Sequence, residues 1–202
     1  MPQVETIRDA LDKDCCTMIV KERELGYFYS NLPTKPKLVI TDSQAFSKVS
    51  ADIPSQQLLT SFSILFARKK GDLPYFTRSI HALSQTPADA KILVLESCSH
   101  HRQADDIGTV KIPRLFRQLV QPTVHFDFSR EIPEEEKLKE YYMVINCAGC
   151  MVTRRQMMYR INLLKSLGIY AINYGLFLAW VNGLLPRVLE PFLESYQIFQ
   201  KK

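Results

Sequence analysis

Five cysteines occur in this chain of 202 residues, and three of them stand where periodicity gives no reason for a thiol. Cys98 opens the string Cys98-Ser99-His100-His101, directly after the apolar run Lys91–Glu96 (KILVLE). Cys147 and Cys150 belong to Cys147-Ala148-Gly149-Cys150, directly after Tyr142–Asn146 (YMVIN). A structural zinc site takes four closed ligands, usually as two closely spaced pairs. Cys147 with Cys150 offers one such pair, and Cys98 with His100 or His101 a tighter second. An iron–sulfur cluster is held mainly by thiolates. Three cysteines would leave one iron to a histidine, a carboxylate, water or an incoming ligand. A Cys-x-x-Cys between strand and helix is also the arrangement of thioredoxin-type redox centres. Metal binding and thiol–disulfide exchange therefore both stand open on these residues, beside the plain reading of three unrelated buried cysteines.

The elements around the cysteines favour convergence. Short apolar runs alternate with helical patterns along the whole chain, which implies parallel sheets with helices on their faces. The clearest strands are KILVLE and YMVIN, with further strands at Leu38–Thr41, Val124–Phe128 and Tyr170–Ile172. Helices are expected over Thr6–Lys13, Lys21–Asn31, a long stretch from Ser61 to about Gln85 that breaks at Gly71-Asp72, Thr153–Leu167, and Leu176 to Tyr196. Cys15–Val20 (CCTMIV) reads as a compact buried strand whose two cysteines are small core residues. The polar connector Thr86–Ala90 divides the chain into two consecutive small α/β domains, 1–88 and 89–202. In parallel α/β sheets, ligands gather outside the carboxyl ends of the strands. Both cysteine groups end strands, so neighbouring strands would bring three thiols and up to two imidazoles together. A helix opening at Cys147 and Cys150 would further favour an anionic cluster. Arg154-Arg155 in that helix is either a solvated pair or a balance to cluster charge. Asp105-Asp106-Ile107-Gly108 reads more simply as an Asx turn than as a cluster approach.

Composition narrows the function classes. Hydrophobic residues make up 46% and charged residues 23%, which excludes disorder and a disulfide-stapled miniature scaffold. The net charge of +5 is spread out, unlike the basic stripe of a nucleic-acid binder. The N-terminal stretch carries Glu5, Asp9 and Asp12 and no apolar core, unlike a secretory signal. The longest apolar run, Leu167–Pro186, is interrupted by Gly168, Asn173, Gly175, Asn182 and Gly183 and reads as buried strand, turn and helix rather than a membrane span. A cytoplasmic protein is expected, a compartment in which cysteines more often bind metal or do redox work than form bridges. P-loop, dinucleotide-binding, nucleophile-elbow and radical-SAM motifs are all missing from the sequence.

The strings ESCSHHRQADDIGTVKIPRLFRQ, INCAGCMVTRRQM and INYGLFLAWVNGLLPRVLEPF resemble the C-terminal part of the HydF family, the scaffold proteins of FeFe-hydrogenase maturation. PQVETIRDALD, VKERELG, VITDSQAFSKV and LTSFSILFARKKGDL resemble the dimerisation domain of the same family. The family's cluster motif is Cys-x-His, a long spacer, then His-Cys-x-x-Cys. Cys98, His100, Cys147 and Cys150 match it, whereas Asn146 stands where the family has histidine. The resemblance implies a 4Fe-4S cluster on Cys98, Cys147 and Cys150. The fourth position falls to His100, His101, a carboxylate, water or open solvent, because an amide is a poor iron ligand. It also implies a carrier rather than an enzyme. Such a protein holds a diiron precursor with carbonyl and cyanide ligands, assembled by radical-SAM maturases, and passes it to apo-hydrogenase for H-cluster assembly. A homodimer, and possible pairing of dimers into a tetramer, is implied as well. Family members carry an N-terminal GTPase domain that this sequence lacks, so no GTP binding is expected of it, whether it is a fragment or a natural short form.

Overall fold

A computed structural model describes residues 1–97 and 106–201. Cys98, His100 and His101 lie outside the described residues. The chain is mixed α/β, with two parallel sheets flanked by helices. The first unit holds α1 (Pro2–Leu11), α2 (Leu25–Asn31), β1 (Val39–Thr41), α3 (Phe46–Asp52), β2 (Leu59–Ser61) and α4 (Phe62–Lys70). Here β1 and β2 pair in parallel, Ile40 opposite Thr60. Gly71 ends α4, and Asp72 caps α5 (Leu73–Ser79) by accepting the Tyr75 amide at 2.9 Å. The break expected at Gly71-Asp72 is thus a change of helix, and α6 (His81–Ser84) follows.

The second sheet is built from β3 (Lys91–Leu95), β4 (His125–Ser129), β5 (Met143–Asn146) and β6 (Tyr170–Asn173), ordered β4-β3-β5-β6 and all parallel. Its central strands are buried almost end to end, as strands covered on both faces must be. β4 lies on the edge and is half exposed. The helices between are α7 (Ile112–Leu119), α8 (Glu135–Leu138) and α9 (Arg154–Ser166), followed by α10 (Tyr174–Val181) and α11 (Leu193–Gln200). Phe116 of α7 stacks on Phe177 of α10 with centroids 5.6 Å apart. Thr153 and Gln156 form a capping box that starts α9.

The two units share one apolar core, and polar contacts join them. Thr60 Oγ1 donates to the Val188 carbonyl at 3.1 Å. Asn173 Nδ2 donates to the Ser63 carbonyl at 2.8 Å, while its Oδ1 caps α10 by accepting the Leu176 amide. No helix among the described residues is long and apolar enough to cross a membrane.

Three elements differ from the sequence reading. Cys15–Val20 is not a buried strand: it has no regular structure, Cys15 and Cys16 are exposed, and Met18 and Ile19 are 58% and 73% exposed. A strand needs a neighbour to take its backbone groups, and within the described chain this segment has none. The final helix expected over Leu176–Tyr196 is divided, because Gly183 takes a left-handed φ of 66° and Pro186 cannot continue a helix. The short strand β2 lies where a helical stretch was expected to begin, and Ser61 ends it by capping α4.

Candidate metal centre

The strand order places the cysteines. From β3 the chain crosses to β4 on one side and returns to β5 on the other. The loops leaving β3 and β5 therefore diverge, and the crevice between their carboxyl ends is the topological switch point where α/β sheets bind ligands. Leu95 pairs with Asn146 across these two strands. The Cys147 amide then donates to the Leu95 carbonyl at 2.9 Å, and the Ser97 amide donates to Cys147 Sγ at 3.3 Å. The segment that runs on to Cys98 is thus tied to the Cys147 sulfur by a backbone hydrogen bond.

Cys147 is buried and Cys150 half-buried, and neither is in a disulfide. The turn between them depends on Gly149, whose φ of 67° is the left-handed conformation that side chains disfavour. Cys150 does not open the helix as expected: α9 begins four residues later, at Arg154, after the Thr153 cap. Helix-dipole stabilisation falls off within the first turn, so it contributes less here than the sequence suggested. Arg154 and Arg155 are exposed, in keeping with the solvated reading. Asp106 Oδ2 accepts from the Thr109 amide and hydroxyl, both at 2.8 Å, which is the turn role.

Two cations that sequence spacing could not reveal frame this crevice. Lys70, at the end of α4, donates to the carbonyls of Gly149, Cys150 and Val152 at 3.2, 2.9 and 3.1 Å. Arg160 of α9 donates to Ser97 Oγ, and to the Arg130 carbonyl at 3.1 Å. On the floor, Asn146 is 2% exposed, and neither atom of its amide has a hydrogen-bond partner among the described residues. Gly108 lies so close to the Tyr174 hydroxyl and the Glu96 carboxylate that a Cβ there would fall against the tyrosine oxygen.

The family model described as the hydrogen maturase F dimerization domain matches residues 1–71, and that of the hydrogen maturase F tetramerization domain matches residues 74–191. The chain belongs to the HydF family. Comparison with curated proteins gives no match. HydF membership ties the chain to hydrogenase maturation and to the two domain types named for that family's oligomers. Among the described residues no group of three or more Cys, His, Asp or Glu side chains is arranged around a metal position. Of the three candidate thiolates, two are described. They fit a cluster by their chemistry: two thiols on one short loop, the first receiving a backbone N–H, beside a buried amide with no described partner. The position matching the HydF histidine is thus occupied by a buried Asn146.

Proposed function

We propose that this HydF-family chain is a 4Fe-4S scaffold in FeFe-hydrogenase maturation, with Cys98, Cys147 and Cys150 as the cluster ligands. The observation that carries the reading is the switch-point crevice, where the Ser97 amide meets Cys147 Sγ and draws the two cysteine-bearing loops together. Hydrogen bonds to cluster sulfurs raise the reduction potential and orient the ligands. When bound, the cluster supplies an iron with an exchangeable position next to which a diiron carbonyl/cyanide precursor can be held. The chain's own residues do the rest. Cys147 and Cys150 would hold from one loop, Cys98 from the sequence that follows β3, and Lys70 and Arg160 would offset the negative charge. With Asn146 a poor iron ligand, His100, His101, a carboxylate or water is left for the remaining position. The cargo is then released to apo-hydrogenase in the cytoplasm, after delivery by the radical-SAM maturases. This role is a carrier's, and it requires no chemical turnover by the chain.

Anaerobic reconstitution tests the reading. About one 4Fe-4S cluster per chain is expected, with a broad absorption near ~400 nm and a reducible cubane EPR signal. Cys98→Ala, Cys147→Ala and Cys150→Ala should each remove most of it; full cluster content in all three variants would sink the assignment. A zinc-stabilised domain would instead stay colourless and lose stability on chelation. A thiol–disulfide protein using Cys147 and Cys150 would tolerate loss of Cys98 and reduce disulfides without metal. The buried position of Cys147 weighs against that exchange, which needs an accessible thiolate.

The same membership supports a homodimer through the first domain and tetramer formation through the second. Met18, Ile19, Tyr27 and Phe28 are exposed apolar side chains on the first unit, of the kind a subunit contact would cover.

A further inference from the structure

Lys70 is the last residue of α4, yet its ammonium reaches out of the first unit to the cysteine loop. An ammonium has three donors and no acceptor. All three donors are taken by the carbonyls of Gly149, Cys150 and Val152. The Gly149 carbonyl accepts in addition the Val152 amide at 3.1 Å, so the cation closes a turn that gathers carbonyl oxygens. The residue is half-buried, with its charge 5.1 Å from the centre of the Phe66 ring. Its neighbours are engaged elsewhere: Lys69 pairs with Glu5 at 2.6 Å, and Arg68 lies over Phe192. A cation at a helix C-terminus ordinarily serves that helix's own carbonyls. Lys70 serves another domain's loop instead.

Resting on the cluster reading above, we propose that Lys70 is a positioning residue for the metal centre. It fixes the loop that carries Cys147 and Cys150 from the dimerisation domain, and it holds a positive charge beside the cluster. Two consequences separate the roles. The loop's order depends on three donors converging on three carbonyls, which only an ammonium in this position supplies. The electrostatic effect depends on charge alone, and it favours the reduced cluster, which carries one more negative charge than the oxidised one.

The test compares Lys70→Met, which keeps the apolar stem, with Lys70→Arg, which keeps the charge but replaces three convergent donors by a planar fork. In metal-free protein, hydrogen exchange at the Val152 amide should quicken about tenfold or more in both variants, the scale of a lost charge-assisted hydrogen bond. The Cys147 amide, bonded to Leu95 across β3 and β5, should stay as protected as in wild type. After reconstitution, the midpoint potential should fall in Lys70→Met and stay near wild type in Lys70→Arg, and Lys70→Met should lose iron to a chelator faster. Unchanged protection of Val152 in Lys70→Met overturns the clamp. Lost protection with an unchanged potential overturns the electrostatic half. Wild-type protein that takes up no cluster would defeat the cluster reading alone, because the exchange measurement needs no metal.

Discussion

At the scale of single residues, Asn146 and Gly149 constrain the centre most. A buried amide left without partners costs about 1–3 kcal/mol, more than an apolar side chain of similar size would. Asn146→Leu is therefore expected to raise the melting temperature of the metal-free protein by a few degrees, the response of a chain this long to about 1 kcal/mol. A fall in calorimetry would overturn this expectation and show that the amide stabilises the fold. Gly149→Ala should act in the opposite direction. Its positive φ strains any Cβ, and that Cβ would also fall against the Met157 methyl. A loss of about 1–2 kcal/mol in denaturant unfolding, together with a lower yield of reconstituted cluster, is expected. Cys98, Cys147 and Cys150 could be singled out by residue type and spacing because thiols after strands have few other reasons to be there. Lys70 and Arg160 could not, since their partners are brought near only by folding.

Among elements, the junction of α5 and α9 carries the clearest pH dependence. Asp72 caps α5 and meets Lys165 of α9 at 2.5 Å. Burial pushes its carboxyl up, but the Lys165 hydrogen bond and charge and the Tyr75 amide outweigh that and hold it below the usual value. A carboxyl whose folded value is depressed adds stability above its unfolded pKa and loses it as pH falls through the folded one. Asp72→Asn, which can still cap, should cost no more than about 1 kcal/mol at neutral pH, because the pair is partly solvated. The difference from wild type should shrink as pH falls through the depressed folded value of Asp72, below the ordinary carboxylate range. Asp72→Ala should cost about 1 kcal/mol more through the lost cap. Chemical denaturation at a series of pH values reads all three. Equal acid sensitivity of wild type and Asp72→Asn would show that another carboxylate sets it. The strands β3 and β5 were legible because unbroken apolar runs bounded by polar residues suit a strand buried on both faces. The three-residue β2 was not, because Leu59–Ser61 is too short for a periodicity and runs straight into α4.

For the whole molecule, a first domain that matches a dimerization-domain family model and exposes Met18, Ile19, Tyr27 and Phe28 supports oligomerisation. Charged residues at such exposed positions leave a monomer's fold intact but oppose burial in an interface. The double variant Met18→Glu/Ile19→Glu should keep its melting temperature at low concentration and elute with about half the wild-type mass by light scattering, if the proteins are compared where the wild type is dimeric. Retention of the full wild-type mass would place the contact elsewhere. An apolar run left exposed among the described residues is also why Cys15–Val20 reads as core from sequence: hydropathy records that a segment avoids water, not which molecule shields it.

The sequence by itself determined the α/β class, the strands that end at the cysteine groups, the break at Gly71-Asp72 and the family, because local periodicity, turn residues and long co-linear motifs are properties of neighbouring residues. Only the tertiary structure decided that β3 and β5 are adjacent, that the crevice between them is the switch point, that a lysine from the first domain reaches the cysteine loop, and that α9 starts beyond it. Each of these depends on strand order and on contacts between residues far apart in the chain, and a one-dimensional pattern carries no term for either.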